Sequence, residues 1–395
     1  MSHHYAAGDT LEVRIEKIVP RGFGLAFAED LTVFVPLSAP GDNLRVRVRE
    51  IKQKTAFGEI VDIIEAGEQR STPPCKYFGR CGGCDFQQLN YAAQLDAKVG
   101  IIRDCLHRIG KIEYDGEISV IPSPQEFAYR SRARWHVERD KKAIGYFARD
   151  SHDLIDIDSC PKLTPELQTA FEDIRERIEW DTFWADHFDI DAAVADTVSI
   201  HSAEIDEPAA ELSFSAGGET YFYSAATFFQ ANQFLVSELI DAATADARGE
   251  TALDLYCGVG LFTLPLARAF AKVTAVEEHS EAVCFAKRSV ANAGLGNVEI
   301  ITRDVGRFLA ENTATKADFI LVDPPRAGTT KAVINGVAST KTAQISYVSC
   351  EPSILARDLR TLINAGYKIE KITALDMFPQ THHVETVVRL AKIGN

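Results

Sequence analysis

The sequence predicts an α/β protein of three units: an OB-like β-barrel, an α+β central domain and a C-terminal Rossmann-like, doubly wound sheet. Three observations predict this. From Glu250 onward five apolar runs alternate with helical patterns, and every run ends in a polar residue. Residues 9 to about 66 read instead as short alternating strands punctuated by Gly and Pro. A chain of 395 residues that is 46% hydrophobic also exceeds one ordinary core.

In the first unit, Leu11-Glu-Val-Arg-Ile-Glu-Lys-Ile, Gly24-Leu-Ala-Phe, Leu31-Thr-Val-Phe-Val, Leu44-Arg-Val-Arg-Val-Arg and Phe57-Gly-Glu-Ile-Val-Asp-Ile-Ile have strand periodicity. Arg21-Gly-Phe-Gly, Pro40-Gly-Asp and Ala56-Phe-Gly fill the turns. Gly22 and Gly24, then Val33-Phe-Val-Pro36, then Pro40-Gly41 resemble the TRAM domain, a small barrel found on RNA-modifying enzymes. The resemblance implies RNA binding by residues 1–66, with Arg45, Arg47, Arg49, Lys52 and Lys54 placed to meet phosphates.

The central unit, 67–220, opens on Cys75-Lys-Tyr-Phe-Gly-Arg-Cys81-Gly-Gly-Cys84, with Cys160 far downstream before Pro161. Zinc sites more often use two close Cys pairs, so a four-cysteine iron–sulfur cluster is the better expectation. Tyr91 to Leu106 has helix periodicity and places Cys105 in a core; the same is expected of Cys284, and the helices near 91–110 are candidates to pack on the C-terminal unit. Strands and one helix from Pro165 follow. Tyr129 to Lys142 is basic with aromatics interleaved, and Tyr129, Trp135, Tyr146 and Phe147 could stack bases beside phosphate contacts; the segment reads equally as the solvated face of a hairpin. Asp181 to Glu219 carries the acid excess and holds no Lys or Arg.

In the last unit, 221–395, the five runs end at Asp254, Glu277, Asp304, Asp323 and Cys350. Ligands bind at strand carboxyl ends in such sheets, so all five are expected to face one crevice. Asp254-Leu-Tyr256-Cys-Gly258-Val-Gly260 is a tight glycine turn, and Thr263 stands where a dinucleotide fingerprint wants a third Gly or Ala. A cofactor without a pyrophosphate fits better: Glu277 can accept both ribose hydroxyls and Asp304 an adenine amino group, as in S-adenosyl-L-methionine. Asp323-Pro-Pro-Arg326 is a rigid loop that aims a carboxylate. Cys350 precedes a helix whose N-terminus should favour a thiolate, which makes it a candidate nucleophile.

Together these motifs resemble the RNA 5-methyluridine methyltransferases of the RlmD/RumA and TrmA type over nearly the full length. The resemblance implies a methyltransferase using S-adenosyl-L-methionine and a [4Fe-4S] cluster, acting on RNA. Carried over residue by residue, Cys75, Cys81, Cys84 and Cys160 hold the cluster; Gln230, Tyr256, Gly258, Gly260, Glu277, Asp304 and Asp323 surround cofactor and base. Cys350 is the nucleophile and Glu385, in Phe378-Pro-Gln-Thr-His-His-Val-Glu385, the base. Two positions depart: Leu261 stands where the family often has Asn, and Glu351 where it usually has Asn, putting a carboxylate beside the nucleophile.

The expected substrate is 23S rRNA, with tRNA as the alternative. A nucleotide-dependent iron–sulfur redox enzyme and an inactive RNA-binding module are the competing readings. The net charge of −15 speaks against holding nucleic acid by bulk charge. No apolar segment is long enough for a membrane span and no export signal is read, so a cytoplasmic monomer is expected.

Overall fold

The structure, a computed structural model, describes residues 5–205, 208–312 and 316–394. The first unit is a six-stranded sheet in the order Thr10–Arg14, Asn43–Lys52, Thr55–Glu65, Leu31–Val35, Phe23–Ala28, Lys17–Val19. Alternation turns Leu11, Val13, Val33, Val35, Leu44, Val46 and Val48 into one core. The run from Leu11, expected to be one strand, is split in two around Ile15 and Glu16. Its second half pairs with Phe23–Ala28, after a turn in which Arg21 adopts φ 68°.

Four of the five cations expected to meet phosphates are already paired. Arg45 bonds Glu12 (3.1 Å) and Asp62 (3.3 Å), Arg47 and Arg49 both reach Glu59 (3.5 and 2.5 Å), and Lys52 reaches Glu50 (2.9 Å). Strand register sets Arg45 opposite both Glu12 and Asp62. The barrel also docks on the helix Tyr91–Cys105: Lys17 bonds Asp104 at 2.9 Å, and Ile18 and Ala39 join the core of the largest sheet.

The middle of the chain forms an antiparallel five-stranded sheet, ordered Leu154–Asp156, Ala143–Phe147, Arg132–Glu138, His187–Val194, Val198–His201. The helix Pro165–Arg177, capped by Thr164, lays Leu167 and Phe171 against Trp135. The basic, aromatic segment is therefore mostly structural. Trp135 and Tyr129 are interior, Tyr146 is half-buried with its hydroxyl enclosed, Arg132 donates to the carbonyls of Ser224, Ala225 and Thr227, and Arg139 to that of Phe183. Arg134, paired to Asp191, and the stacked pair His136–Phe147 do face a surface groove.

The dominant element is an eight-stranded sheet: Val298–Thr302, Lys272–Glu277, Thr251–Leu255, Phe319–Val322, Gln344–Ser349, Glu385–Lys392, Tyr367–Leu375 and Ile118–Ile121. The first five are parallel and Glu385–Lys392 runs antiparallel beside the fifth. The last edge strand comes from the 67–220 stretch. Period-two alternation sends Leu253, Leu255, Ile320, Val322, Ile345 and Tyr347 into one core and Ala252, Phe319, Leu321 and Val348 into the other. The helix Tyr91–Cys105, capped by Asn90, packs into the first core with Cys105 buried. Cys284 is exposed, correcting the expectation. In Ser280–Asn292 the buried stripe is Ala282, Val283, Ala286, Ser289 and Val290, and position 284 falls off it. Among the described residues no helix is long and apolar enough to cross a membrane.

Candidate active site

At the carboxyl end of Thr251–Leu255 the chain turns through Tyr256 (φ 65°), Gly258 (φ 55°) and Gly260 (φ 94°). A Cβ on Gly260 would come within 3.2 Å of Leu264, whereas one on Gly258 would meet nothing within 4 Å. Gly260 thus lets the turn pack and Gly258 leaves the crevice open. The Gly258 N–H donates to Glu277 Oε2 (3.0 Å), and the N–H groups of Glu278 and His279 donate to Oε1 (2.9 Å each). Three donors fix this carboxylate at the crevice edge. Asp304 caps the helix Val305–Glu311, accepting from Arg307 N at 2.8 Å. Between these acids, burial pushes the Tyr256 phenol up to about 12, with Asp304 and Glu277 adding to the rise.

Asp254 does not reach the crevice. It lies inside its strand, fully buried, and accepts from Thr263 Oγ1 at 2.6 Å while Oδ1 has no partner among the described residues. Burial pushes it up to about 7. Thr263, at the third-glycine position of a dinucleotide fingerprint, is thus occupied beneath the turn. Gln230 is buried in the segment after the hairpin Leu212–Ala216/Glu219–Tyr223, which the Arg132 guanidinium clamps and Asn232 ties to Ser123 Oγ at 3.0 Å.

Cys350 and Glu385 meet at the ends of neighbouring strands. Ser349 is registered opposite Thr386, so one step further sets Cys350 opposite Glu385, whose residue is 4% exposed. Asp323, one residue beyond Phe319–Val322, and Arg326 share the pocket electrostatically. Burial, then Asp323, raises Glu385 to about 8 while Arg326 opposes the rise; Asp323 is raised by burial and by Asp254.

The expected thiolate is corrected by the structure. Burial pushes the Cys350 thiol up to about 12; Glu385, Asp323 and Glu351 add to this and Arg326 opposes it. Desolvation outweighs the helix end, whose field is felt within one turn and is worth about 0.3–1 kcal/mol. Glu351 itself is the N-cap of Pro352–Asn364: its Oε1 accepts from Ser353 N (3.3 Å) and Oγ (2.7 Å). A carboxylate can thus fill the capping role that Asn fills well.

The loop that delivers Glu385 is held by residues the sequence did not flag for that role. The buried Lys98 ammonium pairs with buried Asp376 and donates to Phe378 O at 3.0 Å. Gln94 exchanges hydrogen bonds with Gln380 (2.9 and 3.0 Å), and Tyr129 donates to Pro379 O at 3.0 Å. His382 Nδ1 lies 2.7 Å from Asp85. Burial would raise Asp85, but His382 and Arg149 hold it at about 2. Burial, with His382 and Arg326, lowers His383 to about 3. Lys98 left one sequence signal, a cation on the apolar face of its helix. On the far side, Asp358 accepts from Tyr347 (2.6 Å), Thr329 (2.8 Å) and Arg357 (2.7 Å), fastening the end of the Pro-Pro-Arg loop.

In the central unit, Cys75, Cys81, Cys84 and Cys160 line one cavity with Tyr77, Tyr146 and Ile157, and none of the four is in a disulfide. Gly83 N–H points at Cys81 Sγ (3.4 Å) and Gln87 Nε2 at Cys84 Sγ (3.1 Å). Burial raises the Cys75 and Cys81 thiols.

Known proteins match this arrangement. A model of the tRNA (uracil-5-)-methyltransferase family matches residues 200–393, and one of the TRAM domain residues 6–61. The 23S rRNA (uracil(1939)-C(5))-methyltransferase RlmD of Methylococcus capsulatus is 31% identical, covering 96% of each chain. That of Pseudomonas aeruginosa is 33% identical over 96% of this chain and 94% of its own. The structure of Pyrococcus abyssi tRNA (uracil-54, C5)-methyltransferase with S-adenosyl-L-homocysteine superposes with TM-score 0.75 at 27% identity, covering 96% of this chain and 100% of that one. Similarity of this extent sets aside the redox reading: the chain belongs to the RNA uracil-C5 methyltransferases, which use S-adenosylmethionine to methylate C5 of a uridine in RNA.

Proposed function

We propose that the chain methylates a uridine of 23S rRNA through a covalent bond between Cys350 Sγ and C6 of the base, which Glu385 then helps to release. The observation that carries this reading is the Cys350–Glu385 juxtaposition at adjacent strand ends, with Asp323 and Arg326 sharing the pocket. C5 of uracil is a poor carbon nucleophile. The Cys350 thiol gives its proton to solvent; addition of the thiolate to C6 opens the C5–C6 double bond and places the charge of an enolate on the ring, and C5 can then attack. Arg326, the group that favours loss of the thiol proton, also faces the charge that develops. Once C5 carries both methyl and hydrogen, Glu385 takes the proton and the ring expels the thiolate. A carboxyl raised to about 8 suits that task, since a base works best near the operating pH.

Bound S-adenosylmethionine supplies an electrophilic methyl group. The open Gly258, the oriented Glu277 carboxylate, Tyr256, Asp304 and the turn at Gly260 fit its ribose and adenine; Gln230 and Asp323 are assigned to the flipped base and cofactor side of the pocket. Four thiols around one cavity, two of them facing N–H donors, fit a [4Fe-4S] cluster held by Cys75, Cys81, Cys84 and Cys160. The cavity lies in the central sheet unit, so the group is assigned to architecture and RNA positioning.

The ribosomal substrate is favoured by the two RlmD relatives at 31% and 33% identity; the Pyrococcus enzyme at 27% supports tRNA as the second reading. Mapping 5-methyluridine by mass spectrometry in rRNA and tRNA, with and without the gene, separates them. Loss from 23S rRNA alone is expected, and loss from tRNA alone would replace the first reading by the second. RNA containing 5-fluorouridine should become cross-linked to the peptide containing Cys350, and a link to any other residue would overturn the assigned nucleophile.

A further inference from the structure

The turn behind Cys350 and the loop before Glu385 bring together three side chains that the methyl-transfer steps leave unused. One oxygen of Glu351 and one ring nitrogen each of His382 and His383 lie within 4.8 Å of one another. Ser353 occupies Oε1 of Glu351, which leaves Oε2. Asp85 occupies Nδ1 of His382, which leaves Nε2, and Asp85 is itself bonded to Arg149 at 3.1 Å. A carboxylate behind an imidazole is the outer-shell arrangement that fixes a metal-binding histidine. His383 offers a second sign: its Nδ1 is buried without a partner among the described residues.

We propose that Glu351, His382 and His383 form a site for one borderline divalent transition-metal ion, with Zn2+ as the representative. Two imidazoles and one carboxylate are a donor set that zinc accepts, with a fourth position left for water. Two of the three donors are imidazole nitrogens, so the site should select an ion held by nitrogen bonds over Mg2+ or Ca2+, which prefer oxygen ligands. A bound ion would join the 350–351 turn to the 382–383 loop and, through Asp85, to the cysteine-rich segment. It would thereby fix the loop that carries Glu385.

The test counts zinc on purified full-length protein by equilibrium dialysis and elemental mass spectrometry, comparing wild type with Glu351→Gln, His382→Gln and Ser353→Ala. Any zinc taken by the four-cysteine cavity is common to all four and cancels in the difference. Wild type and Ser353→Ala should bind one equivalent more than the other two, with a zinc-dependent rise in melting temperature that Mg2+ and Ca2+ do not produce. Equal zinc on wild type and Glu351→Gln overturns the proposal. Should His382→Gln fail to fold for want of the Asp85 bond, Glu351→Gln, whose side chain bonds only within its own helix cap, decides alone.

Discussion

Burial holds Cys350 as a thiol until substrate arrives, and its alkylation kinetics expose this directly. A thiol near 12 rather than 9.0 has about a thousandfold less thiolate at pH 8. The more basic sulfur is also the better nucleophile, with a Brønsted slope of about 0.4–0.5, which returns a factor of roughly 15–30. Cys350 should therefore react with iodoacetamide about 30- to 60-fold more slowly than a free small thiol. Glu385→Gln adds a second handle. Below pH 8 the Glu385 carboxyl is largely protonated and the variant should behave as wild type; above it the charge is lost only in the variant. A like charge at this range is worth on the order of one pKa unit, which converts to a roughly threefold faster reaction of the variant at pH 9.5. The assay is time-resolved alkylation with quantification of the Cys350 peptide by mass spectrometry. Reaction at the free-thiol rate at pH 8, or identical wild-type and Glu385→Gln rates up to pH 10, would refute the argument that desolvation controls this sulfur.

Three further outcomes follow from other parts of the fold. Lys98→Met strands the buried Asp376 carboxylate and should cost about 3–5 kcal/mol in urea unfolding, with most of the loss recovered when Asp376→Leu is added; an unchanged midpoint would mean the pair is not buried in solution. Asp254, raised from 3.8 to about 7, holds a proton in the folded state that the unfolded chain has lost, so its contribution is full below about pH 4 and disappears as pH rises through 7. Asp254→Asn should flatten the fall in unfolding free energy between pH 5 and 8 by up to about 2.5 kcal/mol, and equal slopes would contradict the burial argument. Because Arg45, Arg47 and Arg49 are already paired to Glu12, Asp62 and Glu59, their combined replacement by Ala should leave the salt dependence of RNA binding nearly unchanged. A slope reduced by about 2–3 would show that they leave their carboxylates for phosphates.

Much of the catalytic half was legible because its signals are local. Apolar runs of period two, each closed by Glu277, Asp323 or Cys350 and followed by a helical pattern, mark the strand ends of a doubly wound sheet without knowledge of contacts. What was not legible depends on distant partners. Nothing near Ile118 announces that it pairs with Tyr367–Leu375 at the far edge of that sheet. The cations of the barrel read as phosphate ligands until register sets acids across from them. Arg132 and Tyr129 likewise look like RNA contacts in a basic run, yet each satisfies backbone carbonyls in the interior. At Cys350 the helix N-terminus was readable and what opposes it was not, because burial and the charges of Glu385 and Asp323 depend on strands distant in sequence.

The division of labour between Cys350 and Glu385 is the centre of the account, and trapping the methylated intermediate tests it most directly. Glu385→Gln keeps the size and polarity of the side chain while removing its basicity, so addition and methyl transfer should proceed and release should stall. Incubated with RNA substrate and methyl-labelled S-adenosylmethionine, that variant should accumulate a denaturant-stable protein–RNA band carrying the label, and Cys350→Ala should form none. A labelled adduct with Cys350→Ala, or wild-type turnover by Glu385→Gln, would contradict the assignment of nucleophile or base.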